Sequence, residues 1–150
     1  NRNRKAYEMQ ENAYRIEVVE HPDQGAWRVI GRGLHDFNLA ATGDDRTQEL
    51  CLALYDDQNE IAGGVISEIY WGWYYINVLW VKSELRGCGF GRKLLIQAEN
   101  EAKKMGAKNV YLDTFSFQAP EFYKKNGYHV FGELNNFPEG FQRYFFTKEL

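Results

Sequence analysis

The segment from Arg86 to Arg92 joins an apolar stretch to an amphipathic one and contains Gly87, Gly89 and Gly91 at alternating positions. A backbone without Cβ atoms can curve closely around an anion, and the first N–H groups of a helix have no partner within the helix. These N–H groups and the helix dipole favour negative charge. The spacing therefore predicts a phosphate-binding turn at the start of a helix. A turn that only reverses the chain is the alternative interpretation.

Two other phosphate-binding motifs fit this turn poorly. A P-loop requires a glycine followed by a lysine, and the chain contains no glycine–lysine pair. A dinucleotide fingerprint requires a third glycine at the position of Arg92 and glycines directly after the strand, whereas residues 82–85 intervene. Asp113 imitates the ribose-binding acid of that fingerprint, so a dinucleotide-binding protein stays as an alternative.

A second segment, from Ala119 to Tyr128, predicts a short helix. Pro120 suits the first turn of a helix, and Asn126-Gly127 predicts its end. Tyr123 lies in this helix, and packing in the core among its aromatic neighbours is one interpretation of it.

Hydrophobic periodicity predicts the elements that position these segments. Gly31 and Gly33 interrupt the first helical pattern, which leaves one or two helices there. Residues 76–81 are strongly apolar and predict a strand buried on both faces. The predicted strands cover 14–20, 48–54, 61–70, 76–81, 110–112, 128–131 and 142–147, a hairpin turn covers 56–59, and the helices cover 26–39, 94–105 and a segment starting at Pro120. The order predicts a mixed sheet with helices on it.

Composition limits the class of protein. With 150 residues, 44% hydrophobic and 26% charged, the chain predicts one folded domain without a membrane span. A net charge of −3 argues against nucleic-acid binding. Two cysteines, Cys51 and Cys88, are typical of a reducing cytoplasm. Residues 1–13 are predicted to be disordered and 14–150 to form the domain.

No metal site is expected from the sequence. His21, His35 and His129 lie in separate contexts, and neither H-E-x-x-H nor C-x-x-C occurs.

The two segments together resemble one known family. Arg86-Gly87-Cys88-Gly89-Phe90-Gly91 is similar to the R/Q-x-x-G-x-G/A motif of the GCN5-related N-acetyltransferases (GNAT). Residues 119–128 resemble the A-x-x-(F/L)-Y-x-x-x-G-(F/Y) segment of that family, in the expected order. The resemblance covers roughly residues 76–131 and is more specific than either motif alone.

The resemblance implies a single-domain α/β (α+β) fold with a mixed, mostly antiparallel sheet, a splayed central pair of parallel strands and flanking helices. Acetyl-CoA is the implied co-substrate, with its pantetheine arm between the strands that end at Val81 and near Asp113. The Val81 N–H would face the thioester carbonyl. The implied cofactor-binding residues are Leu79, Trp80, Val81, Arg86, Gly87, Cys88, Gly89, Phe90, Gly91, Arg92, Ser116 and Gln118. Ser116 stands where many relatives have asparagine, and Gln118 is an alternative at that contact.

By the same resemblance the protein acetylates a primary amine on a small molecule, peptide or protein by direct attack in a ternary complex, and Tyr123 protonates the leaving thiolate. The segment 74–80 lacks the glutamate or histidine that would serve as base. A water relayed to one of four residues could replace it: Glu68, Asp113, Asp36 or His35.

A non-catalytic coenzyme A-binding or regulatory module is the alternative function. The expected partner is an amine acceptor, without nucleic acid or membrane. Strand edges near the C-terminus predict a homodimer.

Overall fold

The computed structural model describes residues 13–150, which divide between Asp44 and Asp45 into two compact units. The first unit contains helix α1, Ala26–Thr42, preceded by a 3-10 turn at Pro22–Gln24. The helix is continuous through both of its glycines and ends where the Gly43 N–H donates to the Leu39 carbonyl at 2.9 Å. The segment predicted to be disordered lies, apart from Ala13, outside the described residues.

The strand predicted at 14–20 is wrong, because these residues have no strand structure. Alternation of apolar and polar residues indicates which side of a strand would be buried. It does not provide the neighbouring strand whose N–H and C=O groups must complete the hydrogen bonds.

The unit from Asp45 to Leu150 is built on a six-stranded sheet in the order β1-β2-β3-β4-β6-β5. Its strands are β1 Gln48–Tyr55, β2 Ile61–Tyr70, β3 Trp73–Val81, β4 Asn109–Phe115, β5 His129–Asn135 and β6 Gln142–Glu149. Helix α2 spans Phe90–Lys104 and helix α3 spans Pro120–Lys125. The β3–β4 pair is parallel and the other pairs are antiparallel. This mixed, mostly antiparallel sheet agrees with the sequence-based expectation.

Strand β3 differs from its prediction in two ways. It begins at Trp73 rather than at residue 76, and one of its faces is buried rather than both. Tyr74 and Ile76 are buried, whereas Asn77 and Val78 are exposed. The apolar run resembled a strand inside a fully parallel sheet. Here the parallel partner accompanies β3 over a short stretch, and alternation sends neighbouring side chains to different faces.

The central parallel pair separates partway along its length. β3 and β4 pair from Trp73 opposite Asn109 to Ile76 opposite Leu112, and no further. Beyond that point β3 stays paired with β2, and β4 stays paired with β6. We call the opening between the two strands the splay, and its closed end at Ile76 and Leu112 the vertex.

A β-bulge in β3 accompanies the splay. Ser67 of β2 faces Ile76 and Ile66 faces Val78, so Asn77 is the extra residue. A bulge bends the strand that carries it and disrupts the ladder locally. Since Asn77 directly follows the vertex, the bulge bends β3 at the point where the two strands part.

The core lies between one face of the sheet and helix α2. Removal of these apolar side chains from water is the main favourable term in folding. The core residues are Val65, Ile69, Tyr74, Ile76, Val81, Leu94, Leu95, Ala98, Ala102, Ala107, Val110, Leu112, Tyr123, Tyr128 and Phe146.

A partly buried ion pair joins β6 to α2 beside this core, and the buried Tyr128 just before β5 completes the cluster. Lys148 of β6 lies with its Nζ 2.9 Å from Oε2 of Glu99 of α2, and the Tyr128 hydroxyl donates to Oε1 of Glu99 at 2.8 Å. Burial, together with the Glu99 charge and hydrogen bond, raises the pKa of Tyr128. The Lys148 Nζ also lies 5.2 Å from the centre of the Tyr128 ring. Every strong polar group of the cluster therefore has a partner.

We expect Glu99→Ala to lower the free energy of unfolding by about 1–3 kcal/mol, because it leaves the buried Tyr128 hydroxyl without its acceptor and the partly exposed Lys148 ammonium without its carboxylate. Urea unfolding followed by circular dichroism measures the change. The matched control is Glu101→Ala on the same helix, where the carboxylate pairs with Lys104 at 2.8 Å on the surface and the expected loss is below about 1 kcal/mol. Equal losses for the two variants would contradict this account of the cluster.

Candidate active site

The backbone of β3 presents polar groups to the splay. The Lys82 N–H donates to the Ala62 carbonyl of the β2 side at 2.8 Å. Hydrogen-bonding direction alternates along an antiparallel strand, so Trp80 also bonds towards β2 while Leu79 and Val81 face away from it. The Val81 carbonyl accepts a hydrogen bond from Nε of Arg86 at 3.1 Å. The N–H groups of Leu79 and Val81 therefore point into the splay, whereas the Trp80 backbone is bonded to β2.

The backbone of β4 faces the splay from the other side. The Ser116 N–H donates to the Gln142 carbonyl at 2.8 Å, so by the same alternation Asp113 and Phe115 face β3. The Phe115 N–H donates to Oε1 of Gln118 at 2.9 Å. Apart from the Phe115 N–H and the Val81 carbonyl, which have side-chain partners, the two strands thus direct backbone groups towards an extended ligand, as the edges of a sheet do for an added strand.

The predicted phosphate turn lies between the end of β3 and the start of α2. Gly87 and Gly89 have φ of 74° and 86°, in the left-handed region that favours glycine. Gly89 is the N-cap residue of α2, where no side chain caps the helix and the first turn carries no acidic residue. The first intrahelical bond runs from the Lys93 N–H to the Gly89 carbonyl, at 3.1 Å. The three preceding N–H groups have no intrahelical partner, and groups of this kind at a helix start favour an anion.

Side chains around this turn add shape and charge. Gly91 faces the Phe122 ring, and a Cβ at this position would lie 3.6 Å from the ring. Arg92 and Lys93 contribute positive charge beside the helix N-terminus. The Cys88 thiol is exposed, with its sulfur 3.7 Å from the Arg86 carbonyl oxygen. Phe90 is partly buried against the core and begins the helix.

Tyr123 lies on the core side of the sheet. Its ring packs against Phe122, Tyr128 and Phe146, with centroid separations of 5.1, 5.7 and 5.9 Å. Burial, and to a lesser extent the charge of Asp113, raises the pKa of Tyr123 to about 12. The hydroxyl is therefore protonated at neutral pH, as a general acid must be.

The other sheet face carries a group of tyrosines near the vertex. The Tyr75 and Tyr111 rings stack at 4.8 Å, and the hydroxyls of Tyr70 and Tyr111 share a short hydrogen bond. Burial, followed by the Asp113 charge, raises the pKa of Tyr75. Tyr74, by contrast, points into the core. Alternation along the strand thus sends the neighbouring Tyr74 and Tyr75 to opposite faces of the sheet.

The four candidate bases have different surroundings. Asp113 is engaged by Arg143, whose Nη2 and Nε lie 2.7 and 2.8 Å from Oδ1. The Glu68 side chain forms no ion pair or hydrogen bond within residues 13–150, while its backbone belongs to the β2 ladder. His35 and Asp36 belong to helix α1 in the first unit. Within the unit that contains the splay, Glu68 is thus the candidate carboxylate without a partner.

The two residues predicted to contact the pantetheine arm have local partners. The Ser116 hydroxyl oxygen accepts from the Gln142 N–H at 3.1 Å. Oε1 of Gln118 accepts from the Thr114 hydroxyl and from the Phe115 N–H, both at 2.9 Å. The Gln118 side-chain N–H groups and the Ser116 O–H remain as donors, so both assignments stay predictions.

Arg143 was missed by the sequence analysis. Its guanidinium lies 5.4, 5.0 and 5.2 Å from the ring centres of Phe115, Phe137 and Phe145 and holds Asp113 at the vertex. Its position near Asp113 depends on the pairing of β4 with β6. No motif marks that pairing, so only the register of the two strands could have revealed the contact.

Among residues 13–150, the helices are all too short or too polar to cross a membrane. The same part of the chain has no group of three or more histidine, cysteine or acidic side chains arranged to hold a metal ion.

Comparison with known proteins gives a consistent result. A model of the acetyltransferase (GNAT) family matches residues 6–128. An acetyltransferase of Agrobacterium fabrum is 33% identical over 118 residues, which cover 79% of this chain and 86% of that protein. Blasticidin-S acetyltransferase of Streptomyces morookaense is 34% identical over 95 residues, or 63% of this chain and 70% of that protein. A crystal structure of an acetyltransferase from Bacillus cereus has a TM-score of 0.85 and 32% identity, covering 93% and 99% of the two chains.

Fold, splay and phosphate turn thus define an acetyltransferase. The chain belongs to the acetyltransferase (GNAT) family. As a member of this family it uses acetyl-CoA as acetyl donor and acts on an amine-bearing acceptor. The family, the fold and the acetyl donor expected from the sequence are confirmed, while the roles of individual residues stay predictions.

We expect Gly89→Ala to weaken acetyl-CoA binding at least tenfold, because a Cβ disfavours the left-handed conformation by roughly 1–2 kcal/mol and misaligns the N–H groups of the turn. Isothermal titration calorimetry measures the affinity. Gly106→Ala is the matched control, since Gly106 has φ of 95° at the other end of α2 and also has open space around it. The control should lose similar stability and keep its affinity. Normal binding by Gly89→Ala would remove the turn from the coenzyme site.

Proposed function

We propose that this acetyltransferase moves the acetyl group of acetyl-CoA to a primary amine of a small molecule by direct attack in a ternary complex. The observation that carries the proposal is the splay, whose strand β3 leads through the glycine turn to the uncapped N-terminus of α2. A pyrophosphate at the helix start would direct the pantetheine arm along β3 towards the vertex. The relative named for blasticidin-S supports a small-molecule acceptor.

The proposed roles of the backbone follow from the directions in which its N–H and C=O groups point. The pyrophosphate oxygens accept from the N–H groups of residues 87–92, and the pantetheine amides bond to the groups that β3 and β4 turn into the splay. The Val81 N–H is the proposed donor to the thioester oxygen, and the Leu79 N–H faces the same opening. A donor fixed at the place where negative charge develops stabilises the transition state more than the ground state.

Tyr123 is the proposed general acid. The attack forms a C–N bond and breaks the C–S bond, and the leaving thiolate takes its proton from the Tyr123 hydroxyl. Tyr123 recovers a proton from the nitrogen that has become the amide. No sequence motif for a covalent acyl-enzyme exists, so the donor and the acceptor are bound together.

Location and assembly are also proposals. Both cysteines, Cys51 and Cys88, are free and exposed, which supports a reducing compartment such as the cytoplasm. Strand β5 forms one edge of the sheet, and pairing of that edge is the proposed route to a homodimer.

One assay distinguishes an active acetyltransferase from a non-catalytic protein that only binds coenzyme A. Release of the coenzyme A thiol is followed with a thiol reagent in the presence of acetyl-CoA and a panel of primary amines that includes blasticidin S. We expect acceptor-dependent thiol release. Tight acetyl-CoA binding with no release above the rate without acceptor would favour the binding module.

Tyr123→Phe should lower kcat by about 10²- to 10⁴-fold with nearly unchanged acetyl-CoA affinity, because the variant keeps the ring packing and loses the proton. Steady-state thiol release and calorimetry give the two values. Tyr55→Phe, at the exposed end of β1, is the control for loss of a tyrosine hydroxyl. An unchanged kcat for Tyr123→Phe would exclude Tyr123 from the reaction.

The pH dependence follows from the raised pKa of Tyr123, about 12. A general acid works only while protonated, and an ordinary tyrosine is half ionised at about pH 10. The raised pKa keeps the proton on Tyr123 well above that pH. We therefore expect kcat at saturating acceptor to show no decline up to about pH 10. A decline centred near pH 8 that is absent in Tyr123→Phe would contradict the assignment.

A further inference from the structure

The sheet face opposite to Tyr123 carries partly exposed aromatic rings beside the open end of the splay. We call these rings the phenylalanine cluster, whose members are Phe115, Phe117, Phe137 and Phe141. We propose that the cluster binds the acceptor through a flat aromatic ring, so that the preferred acceptors are primary amines that carry such a ring a few bonds from the nitrogen. The proposal rests on the proposed function and extends it to a class of substrate.

Strand register places the cluster at the level of the proposed thioester donor. Val81 is opposite Gly63, and the vertex residue of β3 is opposite Ser67, so Val81 lies four residues beyond the vertex as counted along β2. On β4, Phe115 lies three residues beyond the vertex and is the last residue of the strand. Phe117 follows two residues later. Since strands rise by about 3.3 Å per residue, the cluster borders the splay near the Val81 N–H and away from the closed end.

The cluster and Tyr123 lie on different faces of the sheet. Leu112 and Thr114 of β4 are buried, so alternation directs Phe115 away from the core. The Phe115 and Phe117 rings stack with their centres 5.2 Å apart and their planes at 10°, which puts both on this face. Tyr123 belongs to the core instead. An acceptor bound by the cluster thus approaches the thioester from one face, while Tyr123 protonates the thiolate from the other.

Three of the four rings expose much of their surface to solvent. Phe117 is 54% exposed, and Phe137 and Phe141 are each 43% exposed. Phe117 meets Phe141 edge-on at 5.1 Å, and Phe137 meets the fourth ring, Phe115, edge-on at 5.7 Å. These contacts join the rings into one patch. Single exposed apolar side chains are ordinary, whereas a contiguous exposed patch is typical of a binding surface.

Arg143 supports the cluster without making it cationic. Its guanidinium lies 5.4 and 5.0 Å from the ring centres of Phe115 and Phe137 and so restrains two of the rings. Nε and Nη2 of the same group lie 2.8 and 2.7 Å from Oδ1 of Asp113, whose charge offsets that of Arg143. An ammonium ion is therefore not repelled. Rings that are already restrained also lose little freedom when a ligand binds.

The arrangement of the rings favours a flat ring over a saturated group. Aromatic pairs gain stability beyond apolar burial, because the negative face of one ring attracts the positive edge of another. The cluster presents both faces and edges, since its stacked pair lies beside two edge-on rings. A saturated group of the same size gains the burial without this attraction. Two ring contacts with the acceptor correspond to a preference of about tenfold.

The test compares kcat/KM for phenethylamine and for its saturated analogue, cyclohexylethylamine. Both are ammonium ions at neutral pH, so loss of a proton affects them alike. We expect the wild type to prefer the aromatic amine by about tenfold. Phe117→Leu and Phe141→Leu keep an apolar side chain but remove a ring. Each should reduce the preference to about threefold or less, by raising the KM for the aromatic amine.

Phe131→Leu is the matched control, because Phe131 is 59% exposed and its ring contact within residues 13–150 is with Phe145, outside the cluster. It should keep the preference of the wild type. Calorimetry with acetyl-CoA verifies that each variant is folded.

Four results would overturn the proposal: equal kcat/KM for the two amines in the wild type, turnover confined to amines without an aromatic ring, an unchanged preference in either cluster variant, or the same loss in Phe131→Leu. Absence of turnover by the wild type with any amine, despite acetyl-CoA binding, would instead refute the proposed function and this inference with it.

Discussion

The separation of β3 from β4 is the constraint on which the site depends. Two adjacent parallel strands would normally satisfy each other's backbone groups along their whole length. Here the bulge at Asn77 bends β3 away directly after Ile76, and the groups beyond the vertex lose their partners. β2 and β6 hold the two strands on their outer sides. The sheet therefore keeps its stability while it presents a polar opening to a ligand whose amides can complete the ladder.

Alternation then gives the opening two chemically different sides. The side with Tyr123 is packed against α2 and is largely dry, so burial keeps a hydroxyl proton in place. The other side carries Tyr75, Tyr111 and Glu68. Asp113 follows the vertex directly, and its charge influences tyrosines on both sides. The Arg143 guanidinium pairs with the Asp113 carboxylate and offsets its charge. Asp113 is therefore better suited to orient neighbouring groups than to take up a proton.

Sequence reasoning succeeded where a local pattern determines local structure. The glycines at 87 and 89, Pro120 and Gly127 mark turns and helix ends whose backbone requirements few other residues meet, and the structure has them at these places. Sequence reasoning failed where the structure of a segment depends on pairing with a strand that is distant in the sequence. The alternating segment 14–20 forms no strand, and the length of β3 depends on its pairing with β2. The Asp113–Arg143 and Glu99–Lys148 pairs join residues 30 and 49 positions apart, and no single-chain pattern indicates their register.

The same distinction separates the glycine turn, for which the sequence offers a motif, from the polar face near the vertex, for which it offers none. The left-handed backbone at residues 87 and 89 favours glycine, and glycine leaves a visible pattern in the sequence. Side chains that several strands bring into one row leave no such pattern. Glu68, Tyr75 and Tyr111 become neighbours only through two separate pairings, one antiparallel and one parallel. A carboxylate can therefore lie near the vertex on β2 instead of β3 without changing any motif.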